Sequence, residues 1–153
     1  MKISLGQKIL SRNEECAQKN REFFKKHKIL CLNVISSPGA GKTSLLVRTI
    51  QDLKDQLKIG VIEGDLETDN DARKILAAGA AAFQIETKGA CHLSAEQVQN
   101  ALKMIEAEKM DLVFIENVGN LVCPSAFDLG ESKRVVILSI PEGDDKPAKY
   151  PGT

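Results

Sequence analysis

Short apolar runs alternate along this chain with longer amphipathic segments. Residues 29–35 (ILCLNVI), 58–62 (KIGVI), 80–85 (AAAFQI), 111–115 (DLVFI) and 135–140 (VVILSI) are nearly continuous in apolar side chains. Runs of that length, bounded by turn residues, predict strands buried on both faces. Residues 43–56, 71–78 and 95–107 carry apolar positions at helical spacing, the clearest stripe being Val98, Ala101, Leu102 and Ile105. Ser94-Ala95-Glu96-Gln97 predicts a capping box at the start of that last helix. Residues 5–27 are rich in Lys, Glu, Gln and Arg and predict a helix that docks by a narrow stripe, with Leu5, Ile9 and Leu10 near one face and Phe23 and Phe24 later. Its end, Lys25-Lys26-His27-Lys28, reads as a solvated basic terminus, and Cys16 as a bystander. The alternation predicts an α/β fold, a mostly parallel sheet with helices on both faces, whose ligands bind at the carboxyl ends of the strands. The expected organisation is an amino-terminal helix, residues 1–28, followed by one domain, residues 29–153.

Composition narrows the picture. At 153 residues the chain is long enough for one domain with a real core. Its 21 basic and 21 acidic residues balance to +0, which does not suggest electrostatic binding to nucleic acid or membrane surfaces. No apolar run approaches the roughly 20 residues of a membrane span, and the first 20 residues hold no continuous apolar segment of a signal peptide. The expected location is cytoplasmic, where Cys16, Cys31, Cys91 and Cys123 are thiols or metal ligands rather than disulfides.

The strand predicted at 29–35 runs into Ser36-Ser37-Pro38-Gly39-Ala40-Gly41-Lys42-Thr43-Ser44 and then a helix. This is the strand–loop–helix setting of a phosphate-binding P-loop, with Ser36 where the general pattern has its first glycine. Small residues let the backbone N–H groups of Ser37, Pro38's neighbours Gly39 and Ala40, and Gly41 to Ser44 converge on a phosphate at a helix N-terminus. Lys42 is expected to reach the β/γ-phosphates and the Thr43 hydroxyl to hold Mg²⁺.

Carboxylates follow two of the other strands. Asp65 and Glu116 are expected at the ends of their strands, placed to hold Mg²⁺, its waters or an attacking water. Gly119 lies three residues after Glu116, and Glu-x-x-Gly resembles the Asp-x-x-Gly switch of GTP-binding proteins, in which the glycine N–H senses the γ-phosphate. Glu63, Glu67, Asp69 and Asp71 read instead as a solvated acidic loop.

Cys91 and His92 are adjacent on a predicted loop, where both can converge, and Cys123 lies on another loop. Two thiolates and an imidazole suit Zn²⁺ or Ni²⁺. Spacing alone leaves the alternative open, two small buried hydrophobes and a structural histidine.

Taken together the motifs resemble one family, the HypB GTPases that load nickel into [NiFe]-hydrogenases. The resemblance spans residues 30–151 and rests on NVISSPGAGKTSLL, IEGDLETDNDA, CHLSA, FIENVGNLVCPSAFDLGE and EGDDKPAKYP, of which the block at residues 114–131 is the most specific. It implies a P-loop GTPase of the dimerising SIMIBI class, binding GTP and GDP with Mg²⁺. It implies that Cys91, His92 and Cys123 bind Zn²⁺ or Ni²⁺ near a homodimer interface. It also implies a HypA-type nickel metallochaperone and a hydrogenase large-subunit precursor as partners. The segment Asp144-Asp145-Lys146-Pro147 is expected near the nucleotide or the interface.

Three departures accompany the resemblance. A cysteine-rich amino-terminal nickel motif, found in some bacterial members, is absent from these residues. Thr87-Lys88-Gly89 and Ser94 stand where Thr-Gly-Lys and Asp are usual, beside the metal loop. The family's guanine-reading Asn-Lys-x-Asp, carried on a later strand, does not occur in these 153 residues. The chain is therefore expected to be a P-loop domain lacking one or more C-terminal strands. The alternative reading is a metal-binding, dimerising domain with weak or base-unselective nucleotide binding.

Overall fold

A computed structural model of the chain describes residues 5–65 and 70–153, without the side chains of Leu5, Gln7, Lys8 and Asp65. Glu67 and Asp69 of the acidic loop lie outside the described residues, as does the Asp65 carboxylate. Among the described residues five strands form one sheet: β1 (Leu30–Ser36), β2 (Ile59–Asp65), β3 (Ala81–Glu86), β4 (Leu112–Glu116) and β5 (Lys133–Ile137). Their order is β3-β2-β4-β1-β5, with every pairing parallel. The main helices are α1 (Leu5–His27), α2 (Lys42–Leu53), α3 (Asn70–Ala78) and α4 (Ala95–Met104), with a single turn, α5 (Lys146–Lys149), near the end. A parallel sheet needs crossovers, and these place helices on both faces.

The pleat divides the core in two. Cys31, Ile62, Val113 and Ile115 point to one face and pack with Phe24 of α1 and Val98, Ala101 and Leu102 of α4. Val34, Val61, Leu112 and Phe114 point to the other and pack with Leu46 and Ile50 of α2 and Ile75 of α3. Successive strand residues face opposite ways, so both faces demand apolar residues and the strands read as continuous runs.

Two expectations are corrected. The first concerns β2, which continues through Glu63 and Gly64 to Asp65, paired with β3 and β4, where the sequence places the start of a solvated loop. Glu63 is only 2% exposed, because ladder pairing on both sides holds it inside the sheet regardless of its charge. The second concerns the docking stripe of α1. Ile9 and Leu10 are exposed, while Asn13, Cys16, Ala17, Asn20 and Phe24 form the buried face. Cys16 is thus a core residue, in contact with Ala17 and Ala95.

The asparagines on α1 do specific work. Asn13 Nδ2 donates to the Asp128 carbonyl (2.8 Å), and Asn13 Oδ1 accepts from Ala95 N–H (2.9 Å). Asn20 Nδ2 donates to the carbonyls of Ala95 (2.9 Å) and Leu129 (3.0 Å). The helix therefore pins both the start of α4 and the 128–130 segment. Gly130 makes this approach possible: its φ is +84°, and a Cβ there would lie 2.3 Å from the Ala17 carbonyl oxygen. The capping box of α4 is formed as the sequence predicts, with Gln97 N–H donating to Ser94 Oγ (3.3 Å) and Ser94 N–H to Gln97 Oε1 (2.9 Å).

Asn20→Ala leaves two buried carbonyls without their donor. Urea unfolding should show a loss of about 2–4 kcal/mol, against less than about 0.5 kcal/mol for Gln18→Ala on the exposed side of the same helix.

Candidate nucleotide cleft and metal centre

The loop between β1 and α2 has the conformation a phosphate cradle requires. Gly39 (φ +75°) and Gly41 (φ +98°) adopt left-handed backbone, and Gly41 directly precedes the first turn of α2. Ser37 and Ala40 are half-buried, Pro38 and Gly39 are exposed at the loop tip, and Ser44 is exposed on the first turn of α2. The departure at Ser36 has a structural use: the Lys42 ammonium donates to Ser36 Oγ at 3.0 Å, both residues being buried. Ser36 Oγ in turn donates to the Ser37 carbonyl (2.6 Å).

The segment after β4 closes the other side. The Thr43 hydroxyl donates to Glu116 Oε1 at 2.8 Å, so two residues 73 positions apart meet where the sequence places both in one site. Gly119 lies against the loop itself. A Cβ at position 119 would stand 3.0 Å from Pro38 Cα and Cγ, so a side chain there would press on the loop by a few tenths of an ångström. A cleft of about 230 Å³ results, lined by Pro38, Gly39, Lys42, Glu63, Gly64, Asp71, Glu116 and the 117–119 backbone segment. Glu63 and Glu116 are register partners on adjacent strands and share this cleft. The half-buried Asp71 carboxylate pairs with Lys74 (2.5 Å). The Lys74 pKa is raised by the hydrogen bond to Asp71 and its charge, and further by Glu116 and Glu63. Nearby, Glu142 is held down to about 2, chiefly by the hydrogen bond from the Ser139 hydroxyl (2.5 Å), with Ser37 and the Ser139 N–H (2.9 Å) lowering it further.

Cys91, His92 and Cys123 come together: one ligand atom from each lies within 4.8 Å of the others. All three are half-buried, and the four cysteines are free thiols. Cys91 Sγ is 3.6 Å from His92 Nδ1. The His92 ring stacks on Phe127, with centroids 3.7 Å apart and planes 18° apart. Burial lowers the His92 pKa and so favours the neutral imidazole, the form that ligates metal. A hydrogen bond donated by the Cys123 thiol to Cys91, together with burial and the Cys91 charge, raises the Cys123 pKa. A divalent cation would reverse that, since coordination deprotonates a thiol. The donor set fits such an ion.

A polar chain runs from Asn117, in the wall of the cleft, to the cysteine loop. Asn117 Oδ1 accepts from Leu93 N–H (3.4 Å), next to His92, and from its neighbour Val118 N–H (2.9 Å). Its Nδ2 donates to Asn33 Oδ1 (3.2 Å), and Asn33 Nδ2 donates to Glu131 Oε1 (3.0 Å). Glu131 pairs with Arg134 (2.9 Å), whose guanidinium also donates to the Ser125 carbonyl (2.8 Å) beside the cysteine loop. Leu93 packs onto Gly64, where a Cβ would lie 2.9 Å from its side chain. Sequence reasoning assigned no role to Glu63, Asn33, Asn117 or Phe127. Asn33 carried a signal, being a polar residue inside an apolar strand run. Glu63 carried none, because only its pairing reveals that it is inside the sheet.

The fold and cleft define a P-loop nucleotide-binding domain on an all-parallel sheet. The chain belongs to the CobW/HypB/UreG nucleotide-binding domain family, whose model matches residues 30–135, and within it to the HypB group. It is 56% identical over 149 residues to the hydrogenase maturation factor HypB of Rhizobium leguminosarum bv. viciae, covering 97% of this chain and 50% of that protein. The chain thus spans about half the length of that relative and of the hydrogenase maturation factor HypB of Azotobacter vinelandii. Among solved structures, HypB of Archaeoglobus fulgidus superposes with a TM-score of 0.86 at 40% identity, covering 94% of this chain and 70% of that one. HypB of Helicobacter pylori, solved in complex with nickel, superposes with a TM-score of 0.85 at 44% identity, covering 92% and 66%. No helix among the described residues is long and apolar enough to cross a membrane.

Gly119→Ala forces its new methyl against Pro38. Chemical denaturation should show a loss of about 1–3 kcal/mol, and Gly119→Ser should lose at least as much.

Proposed function

We propose that this chain binds a guanine nucleotide with Mg²⁺ in the P-loop cleft, hydrolyses GTP, and holds Zn²⁺ or the nickel cargo at Cys91, His92 and Cys123 during hydrogenase maturation. One observation carries the reading. Glu116 and Asn117 are consecutive, and one touches Thr43 of the P-loop while the other touches the backbone beside His92. A change at the nucleotide therefore has a short physical route to the metal loop.

The backbone N–H groups of residues 39–44 and the start of α2 bind the phosphates, with Ser37, Pro38 and Ala40 shaping the loop. Lys42 exchanges Ser36 for the β/γ-phosphates. Thr43 and Asp65 are the protein groups that would hold Mg²⁺, with Glu116 positioned to accept from a water. Mg²⁺ supplies neutralisation of phosphate charge. The Gly119 N–H reports the γ-phosphate, and its closeness to Pro38 keeps it in reach. Hydrolysis on this plan is mostly positioning and electrostatics. A homodimer, a HypA-type metallochaperone and a hydrogenase large-subunit precursor complete the proposal. The names of the relatives support a role in hydrogenase maturation and the nickel complex of one of them supports nickel as cargo, while the homodimer and the metallochaperone rest on the family resemblance.

A second reading is a metal-binding, dimerising domain that takes nucleotide weakly or without base preference. Titration of the chain with GDP and ADP in Mg²⁺ separates the two. At least tenfold tighter GDP binding supports the guanine-nucleotide reading, and equal affinities support the second.

Lys42→Ala should lower nucleotide affinity by 100-fold or more in the same titration; wild-type affinity in that variant would overturn the cleft assignment. Cys91→Ala and Cys123→Ala should each reduce bound Zn²⁺ or Ni²⁺ in equilibrium dialysis, and unchanged stoichiometry in both would overturn the metal assignment.

A further inference from the structure

We propose that Phe127 is a positioning residue that presents Nδ1 of His92, and not Nε2, to a divalent cation shared with Cys91 and Cys123. This rests on the metal-binding reading above.

The stack fixes the plane of the imidazole. With centroids 3.7 Å apart and planes within 18°, the two rings overlap face to face, and the ring can present only its edge to an ion. The Cys91 contact then selects the edge. Cys91 Sγ lies 3.6 Å from Nδ1, so turning the ring over would put a carbon there instead. Nδ1 also lies nearer the backbone than Nε2, which suits a ligand pair drawn from consecutive residues.

Phe127 is well placed for this task. It directly follows the short 3₁₀ turn Cys123–Ala126, so one segment supplies both a ligand and the wall behind another. That segment is clamped from two sides. Arg134 on β5 donates to the Ser125 carbonyl (2.8 Å) and the Phe127 carbonyl (3.4 Å), and Asn13 on α1 donates to the Asp128 carbonyl (2.8 Å). Partners behind a first ligand shell typically change metal affinity by about 10–100-fold when removed.

Two measurements on the full chain test the proposal. In competition titrations of Zn²⁺ against a chromophoric chelator, Phe127→Ala should weaken binding by about 10–100-fold, while Phe127→Tyr, which keeps the stacked face, should stay within about threefold. Phe127→Ala within about threefold of wild type would overturn the proposal. Independently of any variant, ¹⁵N spectra of histidine-labelled wild-type chain with Zn²⁺ should show His92 metal-bound at Nδ1 and protonated at Nε2. The opposite assignment would overturn it. The underlying metal reading fails separately: with Co²⁺, wild-type chain would then show no thiolate-to-metal absorption.

Discussion

The structure depends on how β4 ends beside β1. These two central strands are parallel and in register from Leu30 with Leu112 to Val34 with Glu116, and Asn117 N–H extends the ladder by donating to the Val34 carbonyl (3.0 Å). Within a pleated strand successive side chains must face opposite ways. Glu116 therefore continues the face of Leu112 and Phe114, toward α2 and the P-loop. Asn117 continues the face of Val113 and Ile115, toward α4 and the loop of His92. A single peptide step separates a nucleotide-side residue from a metal-side residue, and it is held by main-chain hydrogen bonds at the centre of the sheet.

The same alternation orders the neighbouring strands. On β2, Glu63 shares the face of Val61 and enters the cleft, while Gly64 shares the face of Ile62 and makes room for Leu93. On β1, Asn33 shares the face of Cys31 and meets Asn117. Buried polar groups of this kind hold their geometry because leaving one unmatched is costly. The chain from Asn117 through Asn33 to Glu131 and Arg134 fixes the cysteine loop from below, and α1 fixes it from the side through Asn13 and Asn20. The helix at the amino terminus is therefore part of what positions the candidate metal ligands.

Much of this was legible in the sequence, for identifiable reasons. The central strands were readable because burial on both faces leaves no polar alternation, β3 and the more exposed edge strand β5 by their apolar runs, and the P-loop because its small residues and Lys42-Thr43 sit between a strand and a helix. The meeting of Cys91, His92 and Cys123 followed from family resemblance and not from spacing. What stayed hidden depends on pairing across the chain. Glu63 looks like the start of an acidic loop until β3 and β4 flank it. Ile9 and Leu10 look like the docking face of α1, but the true face is built from Asn13 and Asn20. Their Nδ2 groups donate to carbonyls 75–115 residues away, and Asn13 Oδ1 accepts from the Ala95 N–H. Nothing marks Phe127 in the sequence, and only the structure shows His92 stacked on it.

The central claim is that the nucleotide cleft and the Cys–His site are coupled through the end of β4. The most direct test is to measure the Zn²⁺ dissociation constant of the chain with no nucleotide, with GDP, and with a non-hydrolysable GTP analogue, all in Mg²⁺. Coupling of the usual size for linked sites is about 1–3 kcal/mol, and a shift of about fivefold or more between nucleotide states is the predicted result. Identical dissociation constants in all three states, with nucleotide demonstrably bound, would contradict the account.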